Sequence, residues 1–154
     1  MKTVITYGTF DLFHVGHIRL LRRLRSLGDR LIVGISSDSF NELKGKKSFF
    51  SYEERAEIVA SCRYVDEVFP ENDWSQKAID IQKFEAHIFA MGDDWAGEFD
   101  SLCEFCEVVY LPRTENISTT DIKKALARVD TVELEKVEVA LHDVIEIVKT
   151  LAHK

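Results

Sequence analysis

The sequence predicts an α/β fold: a five-stranded, mainly parallel sheet with helices on both faces, followed by one further C-terminal helix. Three observations predict it. Short apolar runs bounded by polar residues alternate with segments of helical periodicity, and the connections between runs are long enough to be crossovers. Near Val129 the composition shifts to a stretch without Gly, Pro or aromatic residues. Val4 to Tyr7, Leu31 to Ile35, Val65 to Phe69, Ile88 to Met91 and Val108 to Leu111 read as buried strands. Between them, Ile18 to Leu27 repeats Leu20, Leu21, Leu24 and Leu27 at helical spacing. Ser51 and Glu54 form a capping box for a helix over Tyr52 to Ala60, and a third helix is expected over Gln76 to Phe84. Strands joined through helices pair in parallel, and ligands of such sheets lie beyond the carboxyl ends of the strands, where the winding reverses.

With 154 residues, 45% of them hydrophobic, the chain suits one compact domain over 1–128 and a separate helical unit over 129–154. Its 20 Lys and Arg against 27 Asp and Glu give a formal net charge of -7, which disfavours nucleic acid and anionic membranes as partners. The start of the chain has one basic residue and only a short apolar stretch, unlike a secretory leader, and the three cysteines form no even disulfide framework. A cytoplasmic protein is expected. Cys103 and Cys106 have redox spacing but precede a strand instead of opening a helix. Arg19, Arg22, Arg23 and Arg25 lie opposite the leucine stripe and read as a solvated face.

The string Tyr7-Gly8-Thr9-Phe10-Asp11-Leu12-Phe13-His14-Val15-Gly16-His17 joins the first strand to the first helix, at the expected ligand edge. Gly8 and Gly16 allow close backbone approach, and the helix N-terminus offers N–H groups and positive dipole to a phosphate. His14 and His17 can both point at one anion. Their spacing fits a metal pair or two incidental histidines equally well, although no third and fourth metal ligands occur at a familiar spacing.

Gly-Thr-Phe-Asp-Leu-Phe-His-Val-Gly-His resembles the signature of the cytidylyltransferase family of nucleotidyltransferases. A second signature of that family is matched by Arg113-Thr114-Glu115-Asn116-Ile117-Ser118-Thr119, after the last strand. The two occur in the right order, and together they are far more specific than either alone. Similarity to the bacterial glycerol-3-phosphate branch extends through Arg63-Tyr64-Val65-Asp66-Glu67-Val68 and Met91-Gly92-Asp93-Asp94-Trp95, covering roughly residues 2–127. The resemblance implies a Rossmann-like catalytic domain over 1–128 that joins CTP, with Mg2+, to glycerol 3-phosphate, giving CDP-glycerol for a teichoic acid or capsular polymer. Another phosphorylated alcohol as acceptor, such as a polyol, ethanolamine or choline phosphate, and a non-catalytic nucleotide-binding regulator are the alternatives.

The resemblance also implies roles for residues. His14 and His17 are expected to stabilise charge at the α-phosphate of CTP, with Thr9, Phe10 and Gly16 beside the nucleotide. Lys44 and Lys46, otherwise an exposed lysine run, are expected on the reacting phosphates. Arg55 and Arg63 are expected to bind phosphate, ion pairing with Glu54, Glu57 or Asp66 being the other reading. Asp11, Asp38, Asp66 and Asp94 lie near predicted strand ends, where carboxylates orient basic groups, bind hydroxyls or meet magnesium; Asp11, Asp38 and Asp66 are assigned to the acceptor and Asp94 to the nucleotide. Arg113, Thr114, Ser118 and Thr119 are expected to close over the nucleotide, the hydroxyls also suiting a helix N-cap. Asn116 stands where the family has glycine, and asparagine best tolerates a left-handed backbone.

The last segment is expected to be a helix from Thr131, its N-cap, to Lys154. Leu134, Val137, Leu141, Val144, Val148 and Leu151 recur at alternating steps of three and four, the pattern of a helix seam. A homodimer paired through it is expected, with docking onto its own domain as the other reading.

Overall fold

A computed structural model of the chain describes residues 1–115 and 118–152, and the side chains of all these except 129–131 and 150–152. The chain forms two units, Met1–Ile117 and Ser118–Lys154. In the first, β1 (Thr3–Gly8), α1 (Val15–Arg25), β2 (Arg30–Ser36), α2 (Asp38–Leu43), α3 (Tyr52–Ala60), β3 (Glu67–Glu71), α4 (Gln76–Lys83), β4 (Ile88–Gly92) and β5 (Glu107–Leu111) follow one another, with 3-10 turns at Asp93–Trp95 and Asp100–Glu104. The second unit is α5 (Thr119–Ala152). The strands stand in the order β3-β2-β1-β4-β5, and every pair is parallel.

Period-two alternation along the strands sends apolar side chains to both faces of the sheet. Val4, Leu31, Val33, Ile35, Ile88 and Ala90 meet Leu21 and Leu24 of α1 and Val59 of α3 on one face. On the other, Ile5, Tyr7, Ile32, Phe69, Phe89 and Met91 meet Ile81 of α4. Gly34 is required here: a Cβ at this position would lie 2.4 Å from the Tyr7 ring.

The expected elements are present, α1 starting at Val15 and not Ile18 because His14 caps it, and three further differences bear on the site. β3 starts two residues later than expected. Its forerunners form a turn in which the Val65 N–H bonds the Cys62 carbonyl at 2.9 Å and the Asp66 carboxylate accepts the Leu31 N–H at 2.8 Å. Pro70 is tolerated because β3 is an edge strand. α2 went unread because six residues carry too little periodicity, although Ser37 caps it by accepting the Phe40 N–H at 3.2 Å. Finally, α5 begins at Thr119 instead of Thr131. Ser118 Oγ accepts the Asp121 N–H at 3.1 Å, and no Gly or Pro follows to stop the helix, so Thr131 lies within it. Leu134, Val137, Leu141, Val144 and Val148 are exposed, and one helix cannot cover its own stripe. Among the described residues no helix is long and apolar enough to cross a membrane.

Candidate active site

Strand order reverses between β1 and β4, so their carboxyl ends flank the crevice where parallel α/β sheets take ligands. β1 runs from that edge into α1, whose N-cap is His14. His14 Nδ1 accepts the Gly16 N–H at 3.0 Å, and His17 Nδ1 accepts the His14 N–H at 3.2 Å. Two imidazoles thus form a capping box usually built from a hydroxyl and a carboxylate. Because Nδ1 is the acceptor in both rings, the neutral form of each carries its hydrogen on Nε2. The ring centroids are 4.0 Å apart, and Phe13 stacks on His17 at 5.3 Å. Burial lowers the His14 pKa. Burial, reinforced by His14 and opposed by Asp11, lowers that of His17 to about 4. At neutral pH the helix therefore presents two uncharged N–H donors at its positive end.

The loop before these histidines is held in an unusual shape. Phe10 and Leu12 have φ of 52° and 47°, values non-glycine residues seldom adopt. Arg55, fully buried, holds it from beneath: its guanidinium donates to the carbonyls of Thr9 at 2.8 Å and Phe50 at 3.1 Å, and to Asp38 Oδ1 at 2.8 Å. Asp11, also buried, accepts the N–H groups of Phe49 at 2.8 Å and Phe50 at 3.1 Å. Asp38 Oδ2 accepts the Tyr52 N–H at 3.0 Å, which with Arg55 holds its carboxyl below the usual range. In this arrangement Arg55, Asp38 and Asp11 support the loop. The buried Arg55 and Asp11 find their partners within the protein, whereas Asp38 is half exposed. Thr9 Oγ1 donates to Asn41 Oδ1 at 3.1 Å. The Phe10 ring is core and Gly16 is buried, so only their backbone is suited to meet a nucleotide.

A second cationic cluster lies at the carboxyl edge of β2 and β3. Lys44, which caps the end of α2, donates to Ser36 Oγ at 2.9 Å and lies 4.3 Å from the centroid of the Phe40 ring. Its pKa is lowered, first by burial and then by Lys46, Lys77 and Arg55, with Glu71 opposing. Gly45 takes φ of 68° in the turn that leads on to the exposed Lys46. Behind Lys44, Lys77 of α4 is 3% exposed, pairs with Glu71 Oε1 at 2.5 Å and lies over the Tyr7 and Trp74 rings at 4.6 and 4.8 Å. Glu71 Oε2 in turn accepts from Ser36 Oγ at 2.6 Å. Sequence reasoning missed Lys77, Glu71, Ser36 and Asn41. A signal was there: Glu71 alternates with inward Phe69, and Lys77 stands four residues before inward Ile81, so opposite charges occupy two inward faces.

Residues 5–125 match the family model described as cytidylyltransferase-like. The chain belongs to the cytidylyltransferase-like family. It is 59% identical over 126 residues to a glycerol-3-phosphate cytidylyltransferase of Staphylococcus aureus (strain NCTC 8325 / PS 47), covering 82% of this chain and 96% of that protein. It is 60% identical over 127 residues to that of Bacillus subtilis (strain 168), covering 82% and 98%. Ethanolamine-phosphate cytidylyltransferases match at lower identity. Among solved structures, a lipopolysaccharide core biosynthesis protein from Thermoplasma volcanium GSS1 shares the fold, with a TM-score of 0.64 at 22% identity over 75% of this chain and 99% of that one.

The remaining expected residues of this cytidylyltransferase-like chain fall into three groups. Asp94 follows β4 and Arg113 follows β5; both are exposed, with 3.9 Å between Arg113 Nη1 and Asp94 Oδ2, and Thr114 is the next residue of that loop. Arg23, read as solvated surface, donates to the Pro112 carbonyl at 2.7 Å and so tethers α1 to the loop. Ser118 and Thr119 open the second unit, where Ser118 serves as the helix cap; Asn116 lies outside the described residues. Arg63 and Asp66 both precede β3, at the amino edge of the sheet, where Asp66 bonds Leu31 of β2 and approaches Arg25 Nε at 3.5 Å.

Proposed function

We propose that this protein transfers the cytidylyl group of CTP to glycerol 3-phosphate, releasing pyrophosphate and forming CDP-glycerol. The observation that carries the chemistry is the pair of neutral imidazoles capping α1 beside the β1/β4 crevice; the similarity over most of the chain to glycerol-3-phosphate cytidylyltransferases supports the acceptor. A phosphate oxygen of the acceptor attacks the α-phosphorus, the bond to the bridging oxygen of the β-phosphate breaks, and pyrophosphate leaves in line. The nucleophile is already anionic, so positioning and charge stabilisation replace a general base. Nε2–H groups of His14 and His17 donate to the phosphoryl oxygens, with the Thr9 hydroxyl nearby. Lys44, Lys46 and Lys77 supply positive charge where acceptor and triphosphate meet, and Asp94, Arg113 and Thr114 bind the nucleotide. Among the described residues no three His, Cys, Asp or Glu come together as a metal set. Magnesium would enter with the substrate, as MgCTP, and lend positive charge to the phosphates. Mass spectrometry of products from a mixed pool of nucleotides and phosphorylated alcohols tests the reading. CDP-glycerol as the main product supports it, turnover of ethanolamine or choline phosphate instead would reassign the acceptor, and no CTP-dependent pyrophosphate release would leave a nucleotide-binding regulator.

We also read residues 1–128 as the catalytic domain of a cytoplasmic homodimer, with 129–154 serving association. The family match ends at residue 125, and a lone helix with an apolar seam is marginal in water. Truncation after Arg128 should convert a dimer to a monomer in solution and spare CDP-glycerol synthesis. A truncated chain that is still dimeric refutes the association.

A further inference from the structure

We infer that Glu71 is a positioning residue for the acceptor phosphate, holding the ammonium groups of Lys77 and Lys44 at fixed places through its two carboxylate oxygens. The inference rests on the reading above that this lysine cluster meets the acceptor. Oε1 takes Lys77 directly at 2.5 Å, whereas Oε2 takes the Ser36 hydroxyl at 2.6 Å, and that hydroxyl accepts from Lys44 at 2.9 Å. Ser36 and Glu71 are paired last residues of adjacent parallel strands, so the sheet itself sets their separation. Both are buried, as is Lys77, and the Tyr7, Trp74 and Phe99 rings around Lys77 leave its ammonium little freedom to follow a ligand.

The charge count fits the role. Two lysines against one carboxylate leave a net positive charge at the carboxyl edge, available to an anionic phosphate but attached to a rigid frame. Glu71 does not reach the substrate; it prevents the two ammonium groups from repelling each other apart before substrate arrives. Such preorganisation lowers the cost of binding without altering the chemical step. It also favours the protonated form of Lys44. The charged groups facing Lys44 are Lys46 from its own loop, Arg55 from α3, Lys77 from α4 and Glu71 from β3, and only Glu71 favours the charged form.

The test compares Glu71→Gln, Glu71→Asp, Ser36→Ala and Lys77→Ala, measuring KM for glycerol 3-phosphate, KM for CTP and kcat. Glu71→Gln should raise the acceptor KM at least about tenfold, the scale of a lost charge-assisted hydrogen bond, with the CTP KM changing less than about twofold. The alkaline limb of kcat/KM for the acceptor should move to lower pH, because Lys44 loses its favourable neighbour. Glu71→Asp keeps the charge but is too short for both partners, so it should restore the pH limb and not the KM. If Glu71→Gln fails to fold, Ser36→Ala decides. It cuts only the Lys44 arm and should raise the acceptor KM about threefold to tenfold, as for one lost hydrogen bond. An unchanged acceptor KM in folded Glu71→Gln, or in Ser36→Ala, overturns the inference while a raised KM in Lys77→Ala leaves the acceptor reading standing. An unchanged acceptor KM in Lys77→Ala overturns both.

Discussion

On the proposed reading the histidine pair at the tip of α1 and the lysine cluster at the end of β2 and β3 both face phosphate, and they are built in opposite ways. At α1 the imidazoles are kept uncharged by burial, reinforced at His17 by His14, and they offer oriented N–H donors whose own acceptor atoms are occupied by backbone. At the strand ends the ammonium groups are anchored on a buried carboxylate and enclosed by rings. Preorganised donors stabilise charge that develops during a reaction at no cost in reorganisation. On the proposed reading the histidines act on the transition state and the buried lysine frame on binding of the acceptor.

The hardest test of that division is removal of a histidine. His14→Ala or His17→Ala should lower kcat by at least ~100-fold with the fold retained, since one preorganised donor is worth ~2.7–4 kcal/mol. A folded double variant with near wild-type kcat would break the comparison at its stronger end. His17→Gln sharpens it: the amide supplies a neutral donor at similar reach, so it should retain more activity than alanine.

Arg55 joins the two regions. It holds the Thr9 carbonyl beside the histidine loop and Asp38 at the start of α2, the helix that leads to Lys44. Arg55→Met should therefore destabilise the domain by about 3 kcal/mol, the low end for breaking a buried pair, because Asp38 is half exposed and can be hydrated. The check is denaturant unfolding. A variant of wild-type stability that loses only phosphate affinity would return Arg55 to the substrate role that sequence alone gave it.

How much was legible follows the same division. The strands, α1, α3 and α4 were visible because apolar periodicity and the Ser51 capping box are local signals. The histidine pair was visible because its loop is contiguous with the helix it caps. Arg55, Asp11 and Asp38 are legible as charged residues near a site, but their protein partners are not, because burial is not written in a residue's immediate neighbours: the partners of Arg55 come from Thr9, Asp38 and Phe50. Lys77 and Glu71 went unseen for a related reason. Their pairing depends on α4 crossing onto one face of the sheet, and only the inward placement of two charges hinted at it. Arg63 and Asp66 lie at the amino end of β3 whether that strand starts at Val65, as the sequence predicts, or at Glu67.

The smallest effect expected is the one most specific to neutral imidazoles, the dependence of kcat/KM for CTP on pH at saturating acceptor. Were the histidines required as imidazolium ions with an ordinary pKa near 6.5, activity would fall roughly eightfold between pH 7 and 8 as either ring lost its proton. The structure keeps them neutral already at pH 7: burial lowers both pKa values, that of His17 to about 4. The glycerol phosphate, with a second ionisation near pH 6 as in other phosphomonoesters, is mostly dianionic over the same range. kcat/KM should therefore change less than about twofold between pH 7 and 8. The acid side carries the matching sign in stability. The unfolded chain binds a proton at the His17 position near pH 6.5 and the folded one only near 4, so stability is full above 6.5 and declines as pH falls between these values. His17→Gln should flatten that decline while leaving the alkaline behaviour of the lysine cluster untouched. An eightfold loss of kcat/KM from pH 7 to 8 in the wild type, absent in His17→Gln, would show that the histidine acts as a cation and that the two regions use one electrostatic device instead of two.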